Sequence, residues 1–204
     1  MPINISEFTA NLPGGGARPN LFEVEFADPP GDLGAGNKLS ENGGIAAASF
    51  LCKATSIPAT TVTRVDVPFR GRNIRVPGVR EFDDSWVTTV INDTDFRFRR
   101  WCEDWMDKIA SHESNIGNFT MSELTSTATV YQLDHKDGER IRAYKFMDLW
   151  PSELAAIDLA ADTNDSIQEF DITWTYSYWM VDDAAQSLKD ATGVLGSSKA
   201  NTTT

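Results

Sequence analysis

Few residues of the types that carry chemistry occur in this chain, and their spacing does not join them into a catalytic set. No Gly-x-Ser-x-Gly nucleophile motif occurs in the sequence, so the two histidines, His112 and His135, have no serine nucleophile of this type to activate. The two cysteines, Cys52 and Cys102, lack the Cys-x-x-Cys spacing of a zinc site. Both are expected to be buried free thiols. The sequence therefore predicts no enzyme activity, no cofactor and no metal.

A glycine-rich stretch at residues 31–38, GDLGAGNK, has some likeness to a phosphate-binding loop. Its lysine comes one place late, no Ser or Thr follows it directly, and two prolines separate it from the preceding strand-like segment. A flexible loop is the better interpretation. Carboxylates are abundant, but no pair stands out as an acid and base couple. A structural or binding module is favoured over an enzyme.

Composition indicates one acidic domain with a sizeable, partly aromatic core. The chain has 204 residues, 41% of them hydrophobic, with six Trp and eleven Phe and a formal net charge of −12. That charge argues against a protein that grips nucleic acid through a basic face, though not against one that lets nucleic acid pass. The N-terminus does not resemble a signal peptide. No apolar run approaches the ~20 residues of a membrane span.

The charges are unevenly distributed along the chain. Eight of the eighteen basic residues lie within residues 64–100, whereas residues 146–188 contain nine acidic residues and no Lys or Arg. Two interpretations remain open at this point. The basic and acidic regions pair between copies of the chain, or both are simply solvated surface.

Residues 62–78 have the pattern of a projecting hairpin, in which two alternating segments flank a Pro-Phe-Arg-Gly turn. Phe69 lies at the turn, and three arginines, Arg70, Arg72 and Arg75, lie on the arm with Ile74. An isolated hairpin is marginally stable in water, so an arm of this kind is normally docked on something. The alternative is an ordinary surface hairpin with a charged edge that discourages aggregation.

The other elements follow from periodicity. Residues 1–20 are predicted to be an arm, residues 21–26 a half-buried strand, 27–47 a long loop and 49–57 a strand buried on both sides. A helix is predicted at 94–111, capped by Asp93 or Thr94, in the only convincing helical pattern. Its apolar residues recur at intervals of three or four and form one stripe: Phe98, Trp101, Cys102, Trp105 and Ile109.

The second half of the chain reads as strands. Residues 128–134 and 140–150 flank an Asp-Gly turn, and Pro151 is expected to stop the second strand. Residues 167–181 form the longest alternating run and predict one long strand with two different faces. The apolar face contains Phe170, Ile172, Trp174, Tyr176 and Tyr178, and the polar face contains Glu169, Asp171, Thr173 and Thr175. Residues 183–204 are small and polar, so a flexible tail is expected.

Four stretches together resemble the tail tube proteins of contractile-tailed, T4-like bacteriophages. They are residues 67–78, residues 86–96 running on to Trp101 and Trp105, residues 146–159 with Trp150-Pro151, and residues 170–179. Their order and spacing also agree, over most of residues 21–182. The resemblance does not include residues 27–47 or the tail. Related inner tubes occur in type VI secretion and in contractile bacteriocins.

The resemblance implies a mainly β subunit with one helix, a β-sandwich whose strands join those of other copies in a ring-wide β-barrel. Six copies would close into a ring, and rings would stack into a tube through which DNA leaves the particle. Phe69, Arg70, Arg72, Ile74 and Arg75 would then contact the next ring. The polar face at Glu169, Asp171, Thr173 and Thr175 would line the lumen or an interface.

The same resemblance implies partners and a location. The partners would be further copies of the chain, the tail sheath, the baseplate and the tape-measure protein, in a virion tail assembled in the host cytoplasm. Alternatives within this class are a tube initiator or cap, and a tube of a secretion or bacteriocin machine. Outside this class, a ligand-binding β-sandwich would use the aromatic side chains of Trp174, Tyr176 and Tyr178.

Overall fold

The fold is known from a computed structural model that describes residues 5–10, 12, 16–30, 49, 51–83, 85–114, 116–117, 120–162 and 165–182. The predicted long loop at 27–47 is described only as far as residue 30, and the predicted tail at 183–204 lies outside the described residues. Within these residues the chain is mainly β-structure. Three helices are described, two of them short, rather than the one predicted.

The elements follow one another in an order that alternates strands with a few helices. They are α1 (Ile5–Ala10), β1 (Phe22–Phe26), β2 (Cys52–Thr55), β3 (Thr61–Phe69), β4 (Arg72–Glu81), β5 (Ser85–Ile91), α2 (Arg97–Ile109), α3 (Met121–Leu124), β6 (Ser126–Leu133), β7 (Arg140–Leu154), β8 (Glu169–Thr175) and β9 (Tyr178–Asp182). Among the described residues no helix is both long and apolar enough to span a membrane.

Seven strands form one antiparallel sheet in the order β1-β6-β7-β8-β5-β2, with β9 also paired to β7. The long strand β7 is shared by the two halves of this sheet, because its first part pairs with β6 and β9 and its last part pairs with β8. We call β1, β6, β9 and the first part of β7 the β1 half-sheet. The β2 half-sheet comprises β2, β5, β8 and the last part of β7.

The two half-sheets face each other across an aromatic core. The rings of Phe26 and Trp174 stack with centroids 5.1 Å apart, and those of Trp86 and Phe146 stack at 4.4 Å. Asp148, whose φ is 55°, lies where β7 passes from one half-sheet to the other. One folded sheet therefore makes both layers of a sandwich within a single chain.

Helix α2 packs its apolar stripe on this core. It begins three residues later than predicted because Phe96 adopts a left-handed conformation with φ 54°. Asp93 still stabilises the first turn of the helix. Its carboxylate accepts hydrogen bonds from the Arg97 backbone N–H at 2.9 Å and from the Arg97 Nε at 2.7 Å. The helix ends at Ile109, where Ala110 turns to an extended conformation.

Three strand predictions need correction. Strand β2 is four residues long and exposes Lys53 and Ala54, because it is an edge strand and is not buried on both sides. Pro151 does not end β7, which continues to Leu154. From Trp150 onward β7 has a strand partner on only one side, and an edge position tolerates a residue without an N–H.

The predicted long strand at 167–181 is divided into β8 and β9. Both pieces pair with β7 in the same register, since Trp150 lies opposite Thr175 and Met147 lies opposite Tyr178. The interruption lies beside Asp148, where β7 changes from one half-sheet to the other. The break therefore follows from the fold of the partner strand, which the periodicity of this segment does not reveal.

Candidate assembly surfaces

Strands β3 and β4 form a two-stranded hairpin that pairs with no other strand among the described residues. Its two-residue turn consists of Arg70 and Gly71, whose φ values are 45° and 80°. Positive φ at both positions is the property of the type I′ turn, whose twist matches that of the flanking strands. The turn fixes Phe69 opposite Arg72, and this register decides which side chains share a face.

One face of the hairpin is apolar and open to solvent. Opposed residues of an antiparallel pair point to the same side, so the register of Val65 with Val76 and Val67 with Ile74 collects them on one face with Phe69. These five side chains are between 44% and 57% exposed. An apolar face of this kind is normally covered, so its exposure in the single subunit marks a surface for contact with another molecule.

The opposite face of the hairpin is polar and carries most of its charge. Asp66 lies opposite Arg75, and its carboxylate is 3.7 Å from the guanidinium of Arg64. The residues predicted to stack rings are thus divided. Phe69, Arg72 and Ile74 belong to the apolar face, Arg75 to the polar face, and Arg70 to the turn.

The arginines of the hairpin were predicted from the sequence as contact residues, but its apolar face was not. Val65, Val67 and Val76 were not singled out, although they make up most of that face. The signal was present in the alternation of both arms. A two-residue turn at Arg70 and Gly71 gives a register in which the alternating valines of the two arms coincide.

The predicted polar face of β8 lies on the side of the β2 half-sheet that faces away from the core. Glu169 forms an ion pair with Lys53 of β2, with Nζ and Oε1 2.6 Å apart. Asp171 accepts a hydrogen bond from Thr89 Oγ1 of β5 at 2.6 Å. Thr173 and Thr175, also on this face, are half-buried. The three strands thus share a polar surface cross-linked by side chains.

The β2 half-sheet has two open edges. Strand β2 pairs only with β5, and residues 150–154 of β7 pair only with β8, within the described part of the chain. Each edge leaves backbone N–H and C=O groups available to another strand. Neighbouring strands in this half-sheet are antiparallel throughout.

The predicted helix-packing residues lie in the core and do not form a separate surface. Phe98, Trp101 and Trp105 are buried, and Ile109 is partly buried against them. The Trp105 indole Nε1 donates to the Leu124 carbonyl at 2.6 Å, which satisfies its polar atom inside the core.

The aromatic face proposed for a ligand-binding sandwich is also core, so that alternative is wrong for its main residues. Trp174 is 0% and Tyr176 6% exposed, and Trp174 Nε1 donates to Thr88 Oγ1 at 2.9 Å. Tyr178 is partly exposed, but it belongs to β9, beyond the interruption. Side chains that fill a core are not available to a ligand.

The cysteines have the environment of inert thiols. Burial raises the pKa of Cys52 to about 12, although a hydrogen bond with the backbone of Ala54 opposes part of that shift. Burial also raises the pKa of Cys102 well above the usual thiol value. A protonated, buried thiol is a poor nucleophile. Among the described residues no group of three or more His, Cys, Asp or Glu side chains could hold a metal ion.

Among the described residues the hairpin has no strand partner and the β2 half-sheet has two open edges, which are features of a structural protein that contacts other protein surfaces. The chain belongs to the phage tail tube protein family, which it matches over residues 17–182. It is 33% identical over 163 residues to the tail tube protein gp19 of Enterobacteria phage T4, spanning 80% of this chain and 90% of that protein. Identity to gp19 of Enterobacteria phage T6 is 32% over the same length.

Solved structures with the same fold come from contractile injection systems. The tube-terminating cap of the anti-feeding prophage matches with a TM-score of 0.52 and 11% identity, over 82% of this chain and 91% of that one. A chain in the structure of the sheath-tube complex of the extracellular contractile injection system PVC matches with a TM-score of 0.50 and 14% identity, over 88% of this chain and 97% of that one. The chain is thus a structural component of the virion tail, from a family that is not one of enzymes.

Proposed function

We propose that this chain is the repeating subunit of the inner tube of a contractile phage tail. Six copies close into a ring, rings stack, and the resulting hollow conduit carries DNA during ejection. The observation that carries this proposal is the apolar face of the β3–β4 hairpin, which nothing in the described part of its own subunit covers. Family membership supplies the kind of partner, a further copy of the chain in an adjacent ring.

The hairpin has the energetic and electrostatic properties of a contact between copies. Covering its five half-exposed apolar side chains contributes on the order of 1 kcal/mol for each. Arg72 lies on this face and Arg70 in the adjoining turn, whereas the chain as a whole has a net charge of −12, so another copy is expected to present the complementary charge. A projecting arm that docks on a different surface of the next copy is a heterologous contact, which continues without closing.

The ring itself is supported by the two open edges of the β2 half-sheet. This half-sheet has four strands that alternate in direction, so β2 of one copy runs antiparallel to the last part of β7 in its neighbour. An even number of strands keeps this alternation unbroken around a closed barrel. Joining every β2 edge to a neighbouring β7 edge removes all exposed edges of this half-sheet.

The polar face of the β2 half-sheet suits the wall of the conduit. The core and helix α2 cover its other side, so the bulk of each subunit lies outside a barrel formed this way. Each Lys or Arg on the wall would add a phosphate contact that releases roughly one counterion. Lys53, a cation on this face, is neutralised by Glu169. DNA would pass such a wall without being held.

Sheath, baseplate and tape-measure proteins are proposed as the other partners. Structures with the same fold are described as parts of a sheath-tube complex and of a baseplate in related systems. An alternative proposal is a ring that begins or ends the tube, and one matching structure is a tube-terminating cap. A tube of a secretion or bacteriocin machine is a further alternative.

Negative-stain electron microscopy of the purified protein, over a range of concentrations and salts, tests the proposal directly. Six-fold rings and tubes of stacked rings are expected. Rings that never stack under any condition would favour the cap or initiator. A strictly monomeric species in analytical ultracentrifugation at high concentration would overturn both.

Disulfide cross-linking tests the joint between β2 and β7. Ala54→Cys on the β2 edge is combined with Glu153→Cys, or with Ser152→Cys one residue along, and the assembled protein is oxidised. A ladder of covalent species that ends at six subunits is expected for the right pair. Each single variant is the matched control and should give no ladder. A ladder that stops at two subunits, or its absence from all pairs, would contradict this joint.

A further inference from the structure

The two strands of the hairpin change register near its base. Val62 pairs with Arg80, but the next paired residue of β3, Arg64, lies opposite Pro77. Gly78 and Val79 on β4 therefore oppose the single residue Thr63 on β3, which defines a β-bulge. A bulge bends the strand that carries it and increases the local twist, so the distal hairpin leaves the base in a new direction.

The Thr63 hydroxyl replaces the backbone pairing that the bulge interrupts. Its Oγ1 accepts the Val79 N–H at 3.0 Å and donates to the Val79 carbonyl at 3.1 Å. One side chain thus satisfies both polar backbone groups of the bulged residue. These two bonds hold the bulge in one geometry, and a residue without a hydroxyl cannot make them.

This arrangement requires glycine at position 78, because there is no room there for a side chain. A Cβ at Gly78 would lie 2.4 Å from Thr63 Oγ1 and 3.0 Å from the Thr63 carbonyl oxygen. The first distance is shorter than any real contact, so a side chain here would displace the hydroxyl from Val79. Thr63 and Gly78 therefore depend on each other.

The base of the hairpin is attached to the sandwich at both ends. Before β3, the Ser56 carbonyl accepts a hydrogen bond from Trp86 Nε1 at 3.0 Å. After β4, the ring of Phe82 meets the edge of Trp179 with centroids 6.4 Å apart. The bulge lies between these attachments and the projecting part. The direction of the apolar face relative to the sandwich is therefore decided at the bulge.

We infer that Thr63 and Gly78 are positioning residues, which lock the bulge at Val79 and so fix the direction in which the hairpin presents its apolar face to the next ring. The consequence for stacking rests on the proposed function, but the lock lies within one subunit and is measurable there. A fixed direction removes the loss of freedom that a loose arm would suffer on docking. Loss of the lock should therefore weaken stacking without weakening the sandwich.

Distances between two spin labels, measured by pulsed electron paramagnetic resonance, report the direction of the hairpin. Labels are placed at Asn73→Cys near the turn and Arg142→Cys on β7, and the labelled protein is diluted in unlabelled protein so that distances within a subunit dominate. Wild-type protein, whose cysteines are buried, is the labelling control. One narrow distance is expected for the parent. Thr63→Val should broaden or displace it, and Thr63→Ser, which keeps the hydroxyl, should restore it.

Gly78→Ala provides a second test and should displace the distance as Thr63→Val does. Unfolding followed by tryptophan fluorescence should be unchanged in Thr63→Val, because the sandwich core is untouched. In electron microscopy, Thr63→Val should give rings but fewer and shorter tubes than Thr63→Ser. A Thr63→Val distance distribution that superposes on that of the parent would overturn the lock. Wild-type protein that forms no tubes would overturn the proposed function and leave the distance result standing.

Discussion

The sandwich and the hairpin contain the same kinds of side chain and use them in opposite ways. In the sandwich, Phe26, Trp86, Phe146 and Trp174 contact one another and are nearly inaccessible to solvent. In the hairpin β3–β4 the apolar side chains share one face and remain about half exposed. The core of the sandwich is filled within one chain, whereas no layer in the described part of the chain covers the apolar face of the hairpin.

The difference shows what an alternating pattern can establish. Alternation identifies which residues share a face, and it does so for both regions. It does not identify whether the cover for that face comes from the same chain. Two strands cannot bury a face by themselves, so the hairpin needs a partner outside the described part of its own subunit. Burial of apolar side chains in the sandwich stabilises the folded subunit, whereas burial of those on the hairpin would stabilise the assembly.

The largest expected effect comes from truncating an aromatic residue in the sandwich. Trp105→Ala should lower the free energy of unfolding by about 3–5 kcal/mol, because the side chain is fully buried. The change also leaves the Leu124 carbonyl without its 2.6 Å hydrogen bond from the indole. Urea unfolding followed by far-ultraviolet circular dichroism measures the loss. Assembly should fail with the fold.

The matched control is the same kind of truncation in the hairpin. Phe69→Ala removes an aromatic ring that is 57% exposed, so the free energy of unfolding should change by no more than about 0.5 kcal/mol. Tube formation should nevertheless fall. Equal stability losses in the two variants would mean that the hairpin packs on its own subunit in solution, and the comparison would no longer hold.

The sequence predicted the sandwich well wherever the pattern was local. The apolar stripe of Phe98, Trp101 and Trp105 placed helix α2 against the core, and the alternation from residue 169 onward separated the buried face of β8 from its polar face. These features depend on a helical period of 3.6 and a strand period of 2, which neighbouring residues determine. The Asp-Gly turn likewise marked the connection between β6 and β7.

Features that depend on distant partners were missed. The break between β8 and β9 lies where β7 passes from one half-sheet to the other near Asp148, and β2 is exposed because no strand among the described residues lies beyond it. The bulge opposite Thr63 depends on two registers, one set by the turn and one by the base. Periodicity in one segment contains no information about these arrangements.

Reversing the charge of the hairpin should affect ring stacking without affecting the stability of the subunit. Arg70→Glu combined with Arg72→Glu should leave a folded subunit whose rings do not stack, because it reverses the charge on one side of the proposed contact with another, acidic copy. Both residues are exposed, so unfolding in urea should be almost unchanged. Negative-stain microscopy and sedimentation measure the tubes.

A control with the same change in net charge places the reversals elsewhere. Lys108→Glu with Lys136→Glu alters exposed positions at the end of α2 and in the β6–β7 turn. This variant should form tubes as the wild-type protein does. Tubes of normal length from the hairpin variant would refute a contact at Arg70 and Arg72. Loss of tubes from both variants would assign the effect to total charge.

The smallest effect on folding and stacking is expected on the polar face of β8, which faces away from the core. Asp171→Lys removes one hydrogen bond from Thr89, worth about 1 kcal/mol, and puts a cation where the proposed wall of the conduit lies. Tubes should form, but they should retain short duplex DNA in co-sedimentation at low salt. Each new phosphate contact releases roughly one counterion, so retention should fall steeply as salt rises.

The same substitution in the turn between β6 and β7 distinguishes the wall from the rest of the surface. Asp137→Lys changes the charge equally but lies in the turn that joins β6 to β7, two strands of the β1 half-sheet, which is the opposite layer of the sandwich. It should leave DNA retention close to that of wild-type tubes. If both lysine variants retain DNA equally, the β2 half-sheet is not the wall. Retention by Asp171→Lys alone would show that this acidic face, uncovered in the single subunit, encloses the path of the DNA in the assembled tube.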